Sequence, residues 1–250
     1  MLLKISGIKE NSLLDVLFNI SFVIWFTGCN FRCPFCFNRD VVLGKGVEVP
    51  LEELLDKIKD NKGFIDYVQA TGGEPTLQED GLIALFKEVK KLNIKTSLNT
   101  NGSNPDVIKR LVNKKLIDHI AMDIKAPLEE KVYKIVTNTK IENIVNRIEK
   151  SLRIIRDNIN FIELRTTVIP NFVDFNEVCN IAKFLKEFFK KKKFYYVLQQ
   201  FLPTESVIDK KFRDYPTYTH EDLKNMAKHL KENIGLENVV VRSLNGIELI

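Results

Sequence analysis

The chain is 250 residues long, 44% hydrophobic and 28% charged, with a formal net charge of +5. That supplies apolar material for one sizeable core, and its four cysteines do not make a disulfide framework, which places it in a reducing compartment. The longest apolar run, Phe22–Phe26, is far too short to span a bilayer, and Met1-Leu2-Leu3-Lys4 leads into a polar stretch and not a secretory signal. A cytoplasmic protein with no membrane partner is expected.

Short apolar runs alternate with longer helical patterns. Ser21–Thr27 is a β-branched and aromatic strand run. Pro50–Asp60 predicts a helix with Pro at its start and Leu51, Leu54, Leu55 and Ile58 on one face. Tyr67–Ala70 is a strand, and Leu77–Leu92 a helix with Leu82, Leu85, Phe86 and Val89 in register. Ile94–Leu98 is the next strand, and Asn104-Pro105 opens a helix as N-cap and first turn. His119–Ile124 is strand-like, Ile141–Arg156 helical, and Phe161–Ile169 a strand. Asp174 and Glu177 form a capping box before a helix carrying Ile181, Phe184, Leu185 and Phe188. Phe194–Leu198 is the sixth strand, followed by a helix at Thr219–Glu232 and a short strand at Val239–Arg242. The repeated strand-then-helix order implies parallel strands with right-handed crossovers. The expected fold is α/β, a partial (β/α)6 TIM-like barrel, as a single domain over 1–250. Its core barrel covers about 20–203, and 204–250 forms a C-terminal helix and strand extension without an assignable motif.

Three of the four cysteines lie in one run, Cys29-Asn30-Phe31-Arg32-Cys33-Pro34-Phe35-Cys36. Three thiolates on one tight loop suit an iron–sulfur cluster, which usually takes four cysteine ligands. With three, one iron is left open for a substrate. A structural zinc site needs a fourth nearby ligand, and Cys179 and His119 are distant in sequence. Three inert core cysteines are the other alternative, but Gly28, Asn30, Arg32 and Pro34 suit a loop better than a core.

In α/β barrels the chemistry sits at the C-terminal ends of the strands. There, in turn, stand the cysteine loop, Thr71-Gly72-Gly73-Glu74-Pro75, Asn99-Thr100-Asn101-Gly102, Asp123-Ile124-Lys125-Ala126-Pro127, Val168-Ile169-Pro170-Asn171 and Gln199-Gln200-Phe201. Gly72 and Gly73 allow close backbone approach to a ligand, and Glu74 can accept from a cationic amine. Asn99, Thr100 and Asn101 offer donors and acceptors to a ribose, or simply form a turn and cap. Asp123 and Lys125 alternate with Met122 and Ile124, so two charges facing inward need each other or a ligand. Phe35 and Phe37 flank Cys36, where an aromatic ring stacks on an adenine, shields a cluster or simply packs. Cys179 is expected in the core, and His119, His220 and His229 are not first choices for catalysis. Lys190-Lys191-Lys192-Lys193 fits a solvated helix end, with a patch for RNA or an acidic electron donor as the alternative.

Assembled, these residues resemble the radical S-adenosylmethionine (SAM) superfamily, and within it the activating enzymes of glycyl-radical proteins. The chain looks like the activating proteins of anaerobic ribonucleoside-triphosphate reductase. The cysteine loop and the stretches 71–78, 100–105 and 121–127 carry the match. The resemblance implies that Cys29, Cys33 and Cys36 ligate a [4Fe–4S] cluster and that SAM binds its fourth iron. Gly72, Gly73 and Glu74 would hold the SAM amino group, with Thr100 and Asn101 near the ribose. Asp123, Ile124 and Lys125 would lie near SAM or the developing radical, and Phe35, Cys36 and Phe37 beside the cofactors. The implied reaction is reductive cleavage of SAM to a 5′-deoxyadenosyl radical, which abstracts hydrogen from a glycine of a partner glycyl-radical enzyme. A flavodoxin or ferredoxin would donate the electron. Two departures stand out: Phe37 replaces a histidine common in relatives, and Asn99 replaces an aspartate. Only Cys179 lies outside the motif, so no second cluster is expected. The alternatives are a radical SAM enzyme tailoring RNA, a peptide or a small molecule, and a metal-stabilised binding module without catalysis; nucleic acid is not the expected partner.

Overall fold

The computed structural model describes residues 1–250. In chain order it contains β1 (Leu2–Ser12), β2 (Ser21–Phe26), α1 (Arg39–Val42), β3 (Val47–Pro50), α2 (Leu51–Asn61), β4 (Tyr67–Gly72), α3 (Glu79–Lys91), β5 (Lys95–Thr100), α4 (Pro105–Asn113) and β6 (His119–Asp123). There follow α5 (Glu130–Thr137), α6 (Ile144–Asn158), β7 (Phe161–Val168), α7 (Phe175–Phe189), β8 (Tyr195–Gln200), α8 (His220–His229), β9 (Val239–Ser243) and β10 (Gly246–Leu249). No helix is long and apolar enough to cross a membrane.

The chain forms two compact units interleaved in sequence. The first comprises Met1–Asn30, Asp40–Ala121 and Arg147–Phe161. Its strands lie in the order β3-β1-β2-β4-β5-β6. β2, β4 and β5 run parallel, with Ile24 opposite Ala70 and Ala70 opposite Leu98. β2 is a nearly continuous apolar run, as suits a strand covered on both faces, whereas β4 and β5 also bury the polar Gln69, Thr71, Thr96 and Ser97. Leu82, Leu85, Phe86 and Val89 of α3 and Leu54 and Ile58 of α2 are buried, as their helical spacing requires. The N-terminal stretch, not expected as a strand, is β1: it pairs antiparallel with β2 and β3. Its alternation is visible in hindsight, with Leu3 and Ile5 buried while Leu2 and Lys4 are exposed.

The second unit comprises Phe31–Arg39, Met122–Asn146 and Ile162–Ile250. From the end of β6 its strands continue β7-β8-β9-β10. β7, β8 and β9 are parallel, and β10 returns antiparallel on β9. The expected final short strand thus extends the parallel array. The predicted capping box forms at α7, where Asp174 and Glu177 satisfy each other's backbone amides. Buried charge is paired here: Glu163 and Arg165, 0% and 4% exposed, meet at 2.6 Å, with Arg242 at 3.4 Å from the same carboxylate. Cys179 is a correction: it is half-exposed, between the buried Val178 and Ile181 of α7. The lysine run lies at the end of α7, as expected for a solvated terminus.

Candidate active site

In the first unit the site is built on the loop that leaves β2. Gly28, with φ of +84°, turns the chain into Cys29. Its amide donates to the carbonyl of Val41 at 2.8 Å. The Gly-Gly-Glu stretch after β4 is stitched to this turn: the Gly73 amide donates to the Phe26 carbonyl at 2.9 Å and the Glu74 amide to the Gly28 carbonyl at 2.7 Å. A Cβ on Gly72 would lie 2.3 Å from the Phe26 carbonyl oxygen, and one on Gly73 would lie 2.0 Å from that of Gly28. The neighbour that excludes a side chain at both positions is therefore the β2–Cys29 backbone. The sequence pattern pointed to close approach but not to what approaches.

Glu74 is fully buried and organises three segments. Its Oε1 accepts from the Thr76 amide at 3.1 Å, the Thr76 hydroxyl at 2.5 Å and the Thr100 hydroxyl at 2.8 Å. Its Oε2 accepts from the Asn101 amide at 2.7 Å. Burial pushes this carboxyl's pKa up, against the pull of its hydrogen bonds. Asn101 Nδ2 donates to Asn30 Oδ1 at 2.8 Å and points at the Cys29 sulfur, 3.8 Å away, while its Oδ1 accepts the Ser103 amide at 2.9 Å. Asn30 in turn donates to the Ser103 hydroxyl at 2.7 Å. Ser151 and Arg147 of α6 hold the carbonyls of Gly102 and Ser103. Thr100 and Asn101, nearly fully buried, thus have hydrogen bonds within the chain. Asn99 donates to Thr71 at 2.8 Å, and its own Oδ1 is buried without a partner.

In the second unit the Cys33–Cys36 arc closes as a turn, with the Cys36 amide on the Cys33 carbonyl at 3.1 Å. Cys33 is buried and Cys36 half-buried. Burial pushes the Cys36 thiol up, opposed by the Asn38 amide and the Lys125 ammonium. Lys125 pairs with Asp123 at 2.9 Å, the two side chains being 17% and 25% exposed. Burial works against the ammonium, but the Asp123 carboxylate and the nearby Cys33 and Cys36 hold its pKa above the ordinary lysine value. Sequence reasoning missed Tyr133 of α5: fully buried, its hydroxyl accepts from the Lys125 amide at 3.4 Å. Ile124 is fully buried, its amide on the Arg165 carbonyl and its carbonyl on the Thr166 hydroxyl, both at 2.8 Å. Phe35 is buried in an aromatic group with Phe172 and Phe212, whereas Phe37 is 42% exposed.

All four cysteines are free thiols. Three soft thiolate donors on one loop fit an iron–sulfur cluster. An amide N–H directed at the Cys29 sulfur and a cation near Cys33 and Cys36 are the outer contacts that tune such sulfurs.

The pattern described as the radical SAM superfamily matches residues 23–185. The chain is 33% identical over 242 residues to a protein of Methanocaldococcus jannaschii provisionally named a glycyl-radical enzyme activating enzyme, covering 97% of each chain. It is 28% identical over 246 residues to the pyruvate formate-lyase-activating enzyme of Clostridium pasteurianum, covering 92% of this chain and 97% of that protein. Among solved structures it resembles a radical SAM methyltransferase from Sphaerobacter thermophilus, with a TM-score of 0.65 at 14% identity over 90% of this chain and 67% of that one. This last likeness concerns the fold alone and bears out the expected α/β architecture of the partial-barrel type. The chain belongs to the radical SAM superfamily, and it is an enzyme whose cofactors are a [4Fe–4S] cluster and S-adenosylmethionine.

Proposed function

We propose that this enzyme activates a glycyl-radical enzyme by taking a hydrogen atom from the Cα of one glycine in that partner. The observation that carries the reading is similarity along almost the whole chain to two proteins named as activating enzymes. In this reading Cys29, Cys33 and Cys36 would hold the cluster, leaving room for SAM as a further ligand. The cluster and SAM supply one-electron reductive cleavage and hydrogen abstraction when bound. The protein's task is to bind, orient and exclude water.

Glu74 Oε2, which accepts from the Asn101 amide, has acceptor capacity left for the SAM ammonium beside Gly72 and Gly73. Thr100 and Asn101 shape the wall near the ribose. Asp123 and Lys125, paired at 2.9 Å, would bring opposite charges near SAM, next to Ile124, and Phe35 and Phe37 flank Cys36. The chain works as a single radical SAM domain in a reducing cytoplasm, with its core at about 20–203 and the remainder as an extension. A flavodoxin or ferredoxin supplies the electron, and an anaerobic ribonucleotide reductase is the first partner to try.

The ligand assignment is tested with Cys33→Ala. Two thiolates do not hold the cubane, so anaerobic reconstitution is expected to leave the variant without a full iron and sulfide complement and without SAM cleavage. Full cleavage by Cys33→Ala would overturn the assignment.

A further inference from the structure

The chain between Phe201 and Tyr218 leaves the end of β8 and returns to it. The base of this excursion is pinned twice: the Thr217 hydroxyl donates to the Phe201 carbonyl at 2.5 Å and the Gln200 side-chain amide to the Tyr218 carbonyl at 2.7 Å. It is packed by its own side chains, with Val207 and Phe212 buried, and Arg213 meets Glu205 at 2.8 Å. These are the attributes of an Ω-loop, compact, closed at the base and self-filled.

Its inner edge lies along the cysteine arc. The Ile208 amide donates to the Cys36 carbonyl at 3.0 Å, and the Asp209 amide donates to the Pro34 carbonyl at 2.9 Å. Phe212 packs against Phe35 and Phe172, with ring centroids 6.4 and 5.1 Å away, and against Phe201 and Tyr215 at 6.1 and 4.8 Å. Within the arc the Cys36 amide donates to the Cys33 carbonyl. Holding a four-residue turn in one shape costs conformational entropy. The two external amides and the aromatic wall add contacts that offset this cost.

We propose that this Ω-loop is a positioning clamp for Cys33 and Cys36: it fixes the arc that carries their sulfurs and screens that side of the cluster from water and dioxygen. The apolar shell around such a site controls solvent access, and solvent exposure sets the cluster's stability and potential. The inference rests on Cys33 and Cys36 being cluster ligands. Ile208, Asp209 and Phe212 act through that arc.

The test uses Phe212→Ala, Thr217→Val and the wild-type chain. Before reconstitution, amide hydrogen exchange is read at Ile208 and Asp209. Both are expected to be protected in the wild type and to exchange about tenfold faster or more in Phe212→Ala. After anaerobic reconstitution both variants keep their three cysteines and take up iron and sulfide in full. On admission of air the cluster absorbance is expected to bleach about tenfold faster or more in Phe212→Ala, with Thr217→Val between it and the wild type. Wild-type Ile208 and Asp209 amides exchanging as fast as those of the exposed Glu205 and Ser206 would overturn the clamp. So would a folded Phe212→Ala that bleaches at the wild-type rate. Should Phe212→Ala fail to fold, the wild-type exchange and Thr217→Val decide alone. Failure of the ligand assignment looks different: protection intact, but no iron taken up by the wild type.

Discussion

Gly73→Ala isolates the role of the Gly-Gly-Glu stretch. Gly73 does not have a positive φ, so the added methyl acts through space alone. It would lie 2.0 Å from the oxygen and 2.6 Å from the carbon of the Gly28 carbonyl, and 3.3 Å from the Cys29 nitrogen. All three are backbone atoms, which cannot swing aside as a flexible side chain would. Overpacking of this kind costs about 1–3 kcal/mol. Relief requires separating the strand ends, which breaks the Gly73-to-Phe26 and Glu74-to-Gly28 hydrogen bonds. Each contributes about 0.5–1.5 kcal/mol, for a total of about 2–6 kcal/mol. In a chain of this size that lowers Tm by about 5–20 °C. The displaced segment carries Cys29, so iron uptake on anaerobic reconstitution is expected to fall as well. The assay is calorimetry beside iron and sulfide analysis, with Gly63→Ala as control. No atom lies within 4 Å of a Cβ at Gly63, so the control is expected to stay within about 0.5 kcal/mol of the wild type. A Gly73→Ala protein with the control's Tm and full iron would refute the argument that these glycines hold the cysteine turn.

Two further perturbations follow. Asp123→Ala leaves the Lys125 ammonium without its partner; because the pair is partly exposed, the stability loss is held to about 1–3 kcal/mol. SAM affinity, measured by calorimetric titration of the reconstituted enzyme, is expected to fall about tenfold or more; unchanged affinity with a large drop in Tm would make the pair purely structural. Asp174→Ala removes the α7 cap and lowers stability by about 1 kcal/mol at neutral pH. Burial works against the charge on Asp174, but bonds from the Tyr218 hydroxyl and the Asn171 and Phe175 amides prevail, leaving its pKa below the usual 3.8. A depressed carboxylate pKa stabilises above the unfolded value, and this contribution is lost as pH falls through the lower folded value. The urea-midpoint gap between wild type and Asp174→Ala therefore narrows below about pH 4; a gap independent of pH contradicts this.

The parallel strands, their helices and the cysteine loop were legible because their signals are local: period, caps and one dense cluster of thiols. The strand ends carrying Gly72, Glu74, Thr100 and Lys125 followed from the same alternation. What stayed hidden depends on partners remote in sequence. Glu74 reads as a ligand-facing acid; that it also holds Thr76, Thr100 and Asn101 shows only in the fold. Gly73 reads as close approach to a ligand; that the Gly28 carbonyl also lies against it shows only there. β1 is hard to read because its exposed positions mix the charged Lys4, Lys9 and Glu10 with Leu2, Ser6 and Asn11, which suits an antiparallel strand with one wet face. The segment after Pro203 has no motif because its hydrogen bonds to the cysteine arc come from backbone amides, which leave no residue preference.

The central claim is hydrogen abstraction from a glycine of a protein partner. It is tested most directly by incubating the reconstituted enzyme with SAM, a reductant and a glycyl-radical enzyme from the same cells labelled with α-deuterated glycine. The account predicts deuterium in the 5′-deoxyadenosine product and a glycyl radical signal on the partner. Product formed without deuterium, and with no radical on the partner, would contradict it.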